Sequence, residues 1–130
     1  MLALRDASVP AAVLKGAAAA MYYPKPWYRS MGDIDLIVGP GDFDRASEIL
    51  EQKGYRPEDS HNGEYQRHVS FERNGMHIEL HRFFSTKRSV EDPSYLDEKI
   101  YKALSFLVWE KTGTYTFPVM PQLENGLVLL

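Results

Sequence analysis

The sequence of 130 residues predicts an α+β domain. Residues 33–38, DIDLIV, are rich in aliphatic and β-branched side chains and lie between two glycines, which is typical of a strand. Residues 41–54 repeat apolar side chains at helical spacing. The pair Asn74-Gly75 separates two alternating runs, which is the signature of a β-hairpin with a type I′ turn. Strands and helices are therefore expected within one short chain.

The N-terminal part is expected to contain an extended segment and a helix. Residues 9–16, VPAAVLKG, read as a short extended or buried segment that ends at Gly16. Residues 17–23, AAAAMYY, have strong helix propensity and predict a short helix. The next four residues, PKPW, contain two prolines that cannot continue a helix.

The central helix is predicted over residues 41–54, GDFDRASEILEQKG. Acidic residues fill its first turn and Gly54 follows its last turn, and helix ends favour both features. The helical spacing marks as its apolar positions Phe43, Ala46, Ile49 and Leu50.

Two further elements are predicted after the hairpin. Residues 93–104, PSYLDEKIYKAL, are expected to form a helix whose buried side contains Tyr95, Ile100 and Leu104. Residues 106–121 have the β-rich content of one more strand, or of a hairpin around a Thr-Gly pair.

The central hairpin has a register that follows from its two-residue turn. Counting outward from Asn74-Gly75 places Glu79 opposite Ser70 and His81 opposite His68. Because side chains alternate along a strand, one face of the hairpin is apolar and should pack on helices. That face carries Val69, Phe71, Ile78 and Leu80. The other face should look into a cleft or solvent and carries His68, Ser70, Glu72, His77, Glu79 and His81.

Composition narrows the class of protein. No apolar run reaches the roughly 18 residues that cross a bilayer, so we expect no membrane association and a cytoplasmic location. The sequence has no cysteine, which excludes disulfides and thiolate metal sites. The net charge of −3 disfavours a long nucleic acid as partner, because such binders carry a basic excess. A single nucleotide held by a few local cations remains compatible with this charge.

Three acidic residues point to a metal site. Asp33 and Asp35 lie two apart in a predicted strand, so their side chains share a face with Cα atoms about 6.6 Å apart. Like charges at this distance raise each other's pKa unless a cation lies between them. If the hairpin joins the same sheet, Glu79 meets this pair, and three oxygen ligands suit Mg²⁺ or Mn²⁺. The alternative is an exposed strand face with two solvated aspartates.

The histidines of HIELH give a rival hypothesis. His77, Glu79 and His81 share a face with His68, and such a set could bind Zn²⁺ or Fe²⁺. However, His77 and His81 are about 13 Å apart along the strand, too far to share one ion. Hydrogen bonds to the carboxylates, or a plain surface location, account better for these histidines.

A phosphate site is predicted around Gly16, where the N-terminal extended segment meets the helix predicted over residues 17–23. Gly16 opens a predicted helix and can present free backbone N–H groups to a phosphate, and Lys15 and Arg29 add cations. The alternative is a tight turn that simply leads into a helix.

The sequence contains LKG, Arg29, DIDLIV and IELH in this order. In these segments and their order it resembles the nucleotidyltransferase superfamily related to DNA polymerase beta. It is most similar to a branch of uncharacterised bacterial nucleotidyltransferase-like proteins, over residues 13–83. The resemblance implies a mixed sheet flanked by helices. It also implies an enzyme that transfers a nucleoside monophosphate from an NTP, such as ATP, to an acceptor hydroxyl. The acceptor would be a small molecule, an RNA end or a protein.

The resemblance also implies residue roles. Asp33 and Asp35 match the paired metal ligands, Glu79 matches the third carboxylate, and Gly16 matches the turn that holds the triphosphate. Arg29 and Lys15 would neutralise phosphate charge. Two departures suggest an alternative, a catalytically degenerate domain that binds a nucleotide or a partner. Ala17 replaces the Ser of the family's turn, and the interval from Gly16 to Asp33 is longer than is usual.

Residues 1–130 are expected to form a single nucleotidyltransferase-like catalytic domain. QLENGLVLL stops inside an apolar stretch with no helix-stop signal, which suggests a fragment cut before a C-terminal helical region. Transferase activity is expected of the full-length chain rather than of this fragment alone.

Overall fold

The computed structural model describes residues 2–14, 33–58, 68–83, 93–112 and 115–121. The helices are α1 (Leu2–Asp6), α2 (Phe43–Gln52) and α3 (Pro93–Ala103). Short 3-10 turns occupy Pro40–Asp42 and Leu104–Phe106. The strands are β1 (Ala11–Leu14), β2 (Ile34–Val38), β3 (Arg56–Pro57), β4 (His68–Arg73), β5 (Met76–His81), β6 (Val108–Thr112) and β7 (Tyr115–Val119).

Five of these strands form one mixed sheet in the order β1-β2-β5-β4-β3. β2 and β5 run parallel, and the other neighbouring pairs of this sheet run antiparallel. β6 and β7 pair antiparallel as a separate two-stranded sheet. The predicted α+β class, with a mixed sheet and helices, is confirmed.

The β4–β5 hairpin has the register that its sequence predicts. His68 pairs with His81, Ser70 with Glu79, and the other four pairs agree with the counting from the turn. Asn74 and Gly75 both have positive φ, 52° and 80°, as a type I′ turn requires. The local sequence therefore places Glu79 and His81 on one face and Leu80 on the other.

The sheet buries its two faces unequally. One face packs on α1 and α2, and its core includes Leu4, Val13, Leu36, Val38, Phe43, Ala46, Leu50, Phe71, Ile78 and Leu80. The second core lies on the opposite face and joins the sheet to α3, through Ala12, Leu14, Ile37, Ile100, Ala103, Leu104 and Met120. The rest of that second face carries the polar side chains of β4 and β5.

Most predicted elements are present where the structure describes the chain. α2 starts at Phe43, and Gly54 follows it with φ of 88°. All four residues of β1 are buried, and β6 and β7 pair antiparallel, as the hairpin alternative predicts. Ile100 and Leu104 are buried as expected. The helix predicted over 17–23, its proline break and the side chain of Tyr95 lie outside the described part.

Two features differ from or add to the sequence prediction. The short helix α1 was not predicted, because five residues carry too little periodicity to be recognised. Ile49 is only partly buried, at the edge of the first core.

Among the helices that the structure describes, none combines the length and the apolar character that a membrane span requires.

Candidate metal centre

The parallel pairing of β2 and β5 brings two of the predicted carboxylates together. Asp35 pairs directly with Glu79, and Ile34 and Leu36 pair with Ile78 and Leu80 on either side. The aliphatic neighbours enter the first core, so alternation turns Asp35 and Glu79 to the opposite, polar face. The sequence thus places both acids on one face and in adjacent strands.

His81 completes a compact group with these carboxylates. One ligand atom each from Asp35, Glu79 and His81 lies within 4.8 Å of the other two. The Nε2 atom of His81 is 2.8 Å from Asp35 Oδ1 and 3.5 Å from Glu79 Oε2. The His81 side chain is 5% exposed and that of Asp35 is 16% exposed. The Glu79 side chain is 28% exposed, so the group is only partly shielded from bulk water.

The surroundings of Glu79 change the pKa of its carboxyl group. Burial is the largest cause that raises the pKa of Glu79 above its ordinary value, and a hydrogen bond with Asp35 raises it further. The nearby His68 acts in the opposite direction and lowers this pKa. A cation bound beside Asp35 and Glu79 would act against the increase in this pKa, because positive charge favours the ionised carboxylate.

The other two histidines of this face have different surroundings. His68 Nε2 lies 3.9 Å from Glu79 Oε1, and the His68 ring lies 5.0 Å from the His81 ring. His68 is 40% exposed, so it lies at the rim of the group. His77 instead pairs with Glu58, with Nδ1 and Oε1 3.2 Å apart. The histidines of HIELH therefore do not gather around one point, which agrees with the distance argument from the sequence.

Of the remaining predicted site residues, the structure describes only Asp33. Asp33 is exposed, immediately precedes β2 and does not belong to the three-residue group. Lys15, Gly16 and Arg29 lie outside the described residues. Leu14, the residue before Lys15 in the chain, pairs with Asp35 across β1 and β2. The first described segment therefore ends at Leu14, the first residue of LKG, which is paired with Asp35.

Only the rival hypothesis of a Zn²⁺ or Fe²⁺ site made His81 a metal ligand, and the sequence favoured a hydrogen bond to the carboxylates or a surface location for it. Its sequence signal was present, because it follows Glu79 by two residues and so shares its face. The sequence could not tell whether its ring turns inward, toward Asp35, or outward. That direction depends on β2 lying beside β5, a contact between distant parts of the chain.

The donor set suits a divalent cation. Two carboxylates offer hard oxygen ligands, which Mg²⁺ and Mn²⁺ both accept. An imidazole nitrogen suits Mn²⁺ and other transition metals better than Mg²⁺. The group also leaves coordination positions that phosphate oxygens could occupy.

A comparison with protein families finds one match over nearly the whole chain. The family described as "Uncharacterised nucleotidyltransferase" matches residues 1–123, which includes every described element and the Asp35, Glu79 and His81 group. No curated protein matches the chain in a direct sequence search.

Proposed function

The chain belongs to the uncharacterised nucleotidyltransferase family, and we propose that it transfers a nucleoside monophosphate from an NTP to an acceptor hydroxyl with Mg²⁺ or Mn²⁺. The family description suggests the general activity; the metal, the nucleotide and the acceptor are our proposal. The observation that carries it is the convergence of Asp35, Glu79 and His81 on one partly shielded point of the sheet. The acceptor would be a small molecule, an RNA end or a protein.

In this proposal the cation is held by the carboxylates of β2 and β5. Asp35 and Glu79 supply the oxygens that face each other across the strand pair. Of two divalent cations, the one held by Asp35 and Glu79 would activate the acceptor oxygen, and a second would bind the β- and γ-phosphates and stabilise the leaving pyrophosphate. Asp33, which is exposed and immediately precedes β2, would hold the nucleotide's cation together with Asp35.

The rest of the protein contributes position and charge. Lys15 and Arg29 would neutralise phosphate charge, and Gly16 would offer backbone N–H groups to the triphosphate. The pairing of Leu14 with Asp35 supports this, because the chain enters the LKG segment from a position beside the carboxylates. The transfer needs little covalent chemistry from side chains, so orientation of the reactants supplies much of the rate.

A thermal-shift experiment tests the site. We expect Mn²⁺ with ATP to raise the melting temperature of the wild-type protein, and Asp35→Asn to abolish the increase. The metal-free variant should be at least as stable as wild type, because the substitution removes one of two adjacent acids. Asp6→Asn makes the same chemical change at a residue that is 68% exposed, on α1, and should keep the full shift. A full shift in Asp35→Asn contradicts the assignment.

Turnover separates this proposal from its alternative. A catalytically degenerate domain of the same fold, which binds a nucleotide or a partner, is favoured by the location of Asp33 outside the three-residue group and by Ala17. Release of pyrophosphate from ATP, with label from the α-phosphate on an acceptor, supports transfer. Metal-dependent binding of ATP without pyrophosphate release supports the alternative.

A further inference from the structure

The two ring nitrogens of His81 have different surroundings within the carboxylate group. Nε2 lies 2.8 Å from Asp35 Oδ1, within hydrogen-bond distance of a carboxylate. Nδ1 is buried and has no hydrogen-bond partner among the residues that the structure describes. The two nitrogens of this ring therefore have opposite surroundings, one with an acceptor and one without.

This asymmetry selects a tautomer. A buried N–H without an acceptor is costlier than a buried lone pair without a donor, and orphaned N–H groups are correspondingly rare. The proton is therefore better placed on Nε2, where it is donated to Asp35, than on Nδ1. Binding of a metal by Nε2 would force the proton onto Nδ1. Histidines that ligate metals nearly always donate that other N–H to an acceptor, which is missing here among the described residues.

We propose that His81 is a positioning residue that donates its Nε2–H to Asp35 Oδ1 and leaves the metal to the carboxylates. This inference rests on the proposed function, because it assigns a role within the same metal site. This hydrogen bond would fix the orientation of the Asp35 carboxylate, which would hold the cation together with Glu79. His81 is well placed for this, since its side chain is 5% exposed and its strand is paired to β2.

The position of His81 in the sheet explains why it holds its orientation. Its strand neighbour across the parallel pair is Ile37, which is fully buried in the second core. Its neighbour across the hairpin is His68, whose ring lies 5.0 Å away. The imidazole is therefore enclosed on both sides, and one nitrogen is directed at Asp35.

Binding of Mn²⁺ alone, without nucleotide, tests this inference on the folded protein. Pulsed EPR reports whether a nitrogen is bound directly to Mn²⁺, and we expect no such signal in wild type. The expected effect of His81→Leu is a dissociation constant for Mn²⁺ that is roughly tenfold to a hundredfold higher, as is usual when a group that orients a ligand is lost. His81→Gln should recover most of the affinity, because the Gln amide places an N–H near the position of Nε2.

His77→Leu is the matched control. His77 is on the same strand and the same face, but it is 42% exposed and pairs with Glu58, so its loss should leave Mn²⁺ affinity unchanged. A direct nitrogen signal in wild type that disappears in His81→Leu would make His81 a ligand and overturn the inference. Unchanged affinity in His81→Leu, with affinity lost in Asp35→Asn, overturns the inference alone. No Mn²⁺ binding by wild type overturns both this inference and the proposed metal site.

Discussion

Glu79 is protonated more readily in the folded protein than an ordinary glutamate. Its pKa is raised from 4.5, first by burial and then by the hydrogen bond with Asp35. A carboxyl group whose pKa is higher in the folded than in the unfolded state favours folding in its neutral form. Its contribution to stability is therefore full below pH 4.5 and is lost as the pH rises through the folded-state pKa.

The resulting prediction concerns the pH dependence of the metal-free protein. The free energy of unfolding of wild type should fall, relative to that of Glu79→Gln, as the pH rises above 4.5, because only wild type must ionise an acid beside Asp35. Urea denaturation of both proteins at a series of pH values measures this difference. Added Mn²⁺ should reverse the trend in wild type, since the cation binds the ionised acids. A difference that is constant with pH would contradict the assignment.

The carboxylates show how far a residue-level prediction reaches. Alternation along each strand correctly placed Glu79 and Leu80 on opposite faces, because that property is local to the strand. The direct pairing of Asp35 with Glu79 needed β2 and β5 to be neighbours, and the resemblance to a family supplied that expectation. The inward orientation of His81 was one of two alternatives that the sequence left open, since it depends on contacts between residues that are 46 positions apart.

The β4–β5 hairpin is the element that the sequence specifies best. Its turn requires positive φ at two successive residues, and Asn and Gly are the residues that tolerate this conformation best. The backbone N–H of Gly75 also donates to Glu72 Oε1 at 2.8 Å, which ties the turn to β4. Because this turn sets the register, it also sets the position of Glu79.

Two glycines allow the free-energy cost of a positive φ to be measured separately from steric crowding. A Cβ at Gly75 would contact nothing within 4 Å, so Gly75→Ala should be destabilising only through its φ of 80°, by about 1–2 kcal/mol. A Cβ at Gly41 is equally uncrowded, and its φ lies outside the left-handed region, so Gly41→Ala should be neutral or stabilising by up to ~1 kcal/mol. Urea denaturation of both variants gives the comparison. Equal effects of the two would contradict a type I′ turn.

Other elements were less accessible from sequence for physical reasons. α1 is too short for a helical period, and it is followed after two residues by Ser8, which has φ of 57° where glycine is more usual. From the sequence alone, a hairpin over residues 106–121 could not be distinguished from a single strand, because the Thr-Gly pair is compatible with both. α2, by contrast, has ten residues, a clear apolar face and a glycine stop. The length of an element and the presence of a stop signal at its end therefore decided whether it could be recognised from the sequence.

On the scale of the whole molecule, one sheet supports two cores and one polar site. Leu36 and Ile37 are neighbours in β2, yet Leu36 enters the core with α1 and α2 while Ile37 enters the core with α3. α3 is also tied to the end of β5, because the hydroxyl of Tyr101 donates to the backbone carbonyl of Arg82 at 2.7 Å. The strand that carries Asp35 is thus held from both faces, and we expect both cores to unfold together.

This expectation can be tested with one truncation in each core. Leu80 and Ile100 are 0% and 1% exposed, so Leu80→Ala and Ile100→Ala should each lower the free energy of unfolding by about 2–5 kcal/mol. Each variant should show one transition, with the same midpoint by far-UV circular dichroism and by Trp109 fluorescence in a Trp27→Phe background. Lys102→Ala, at an exposed position of α3, should stay within about 0.5 kcal/mol of wild type. If Ile100→Ala shifts only the fluorescence transition, α3 and the β6–β7 hairpin unfold separately, and Asp35 is then held by the first core alone.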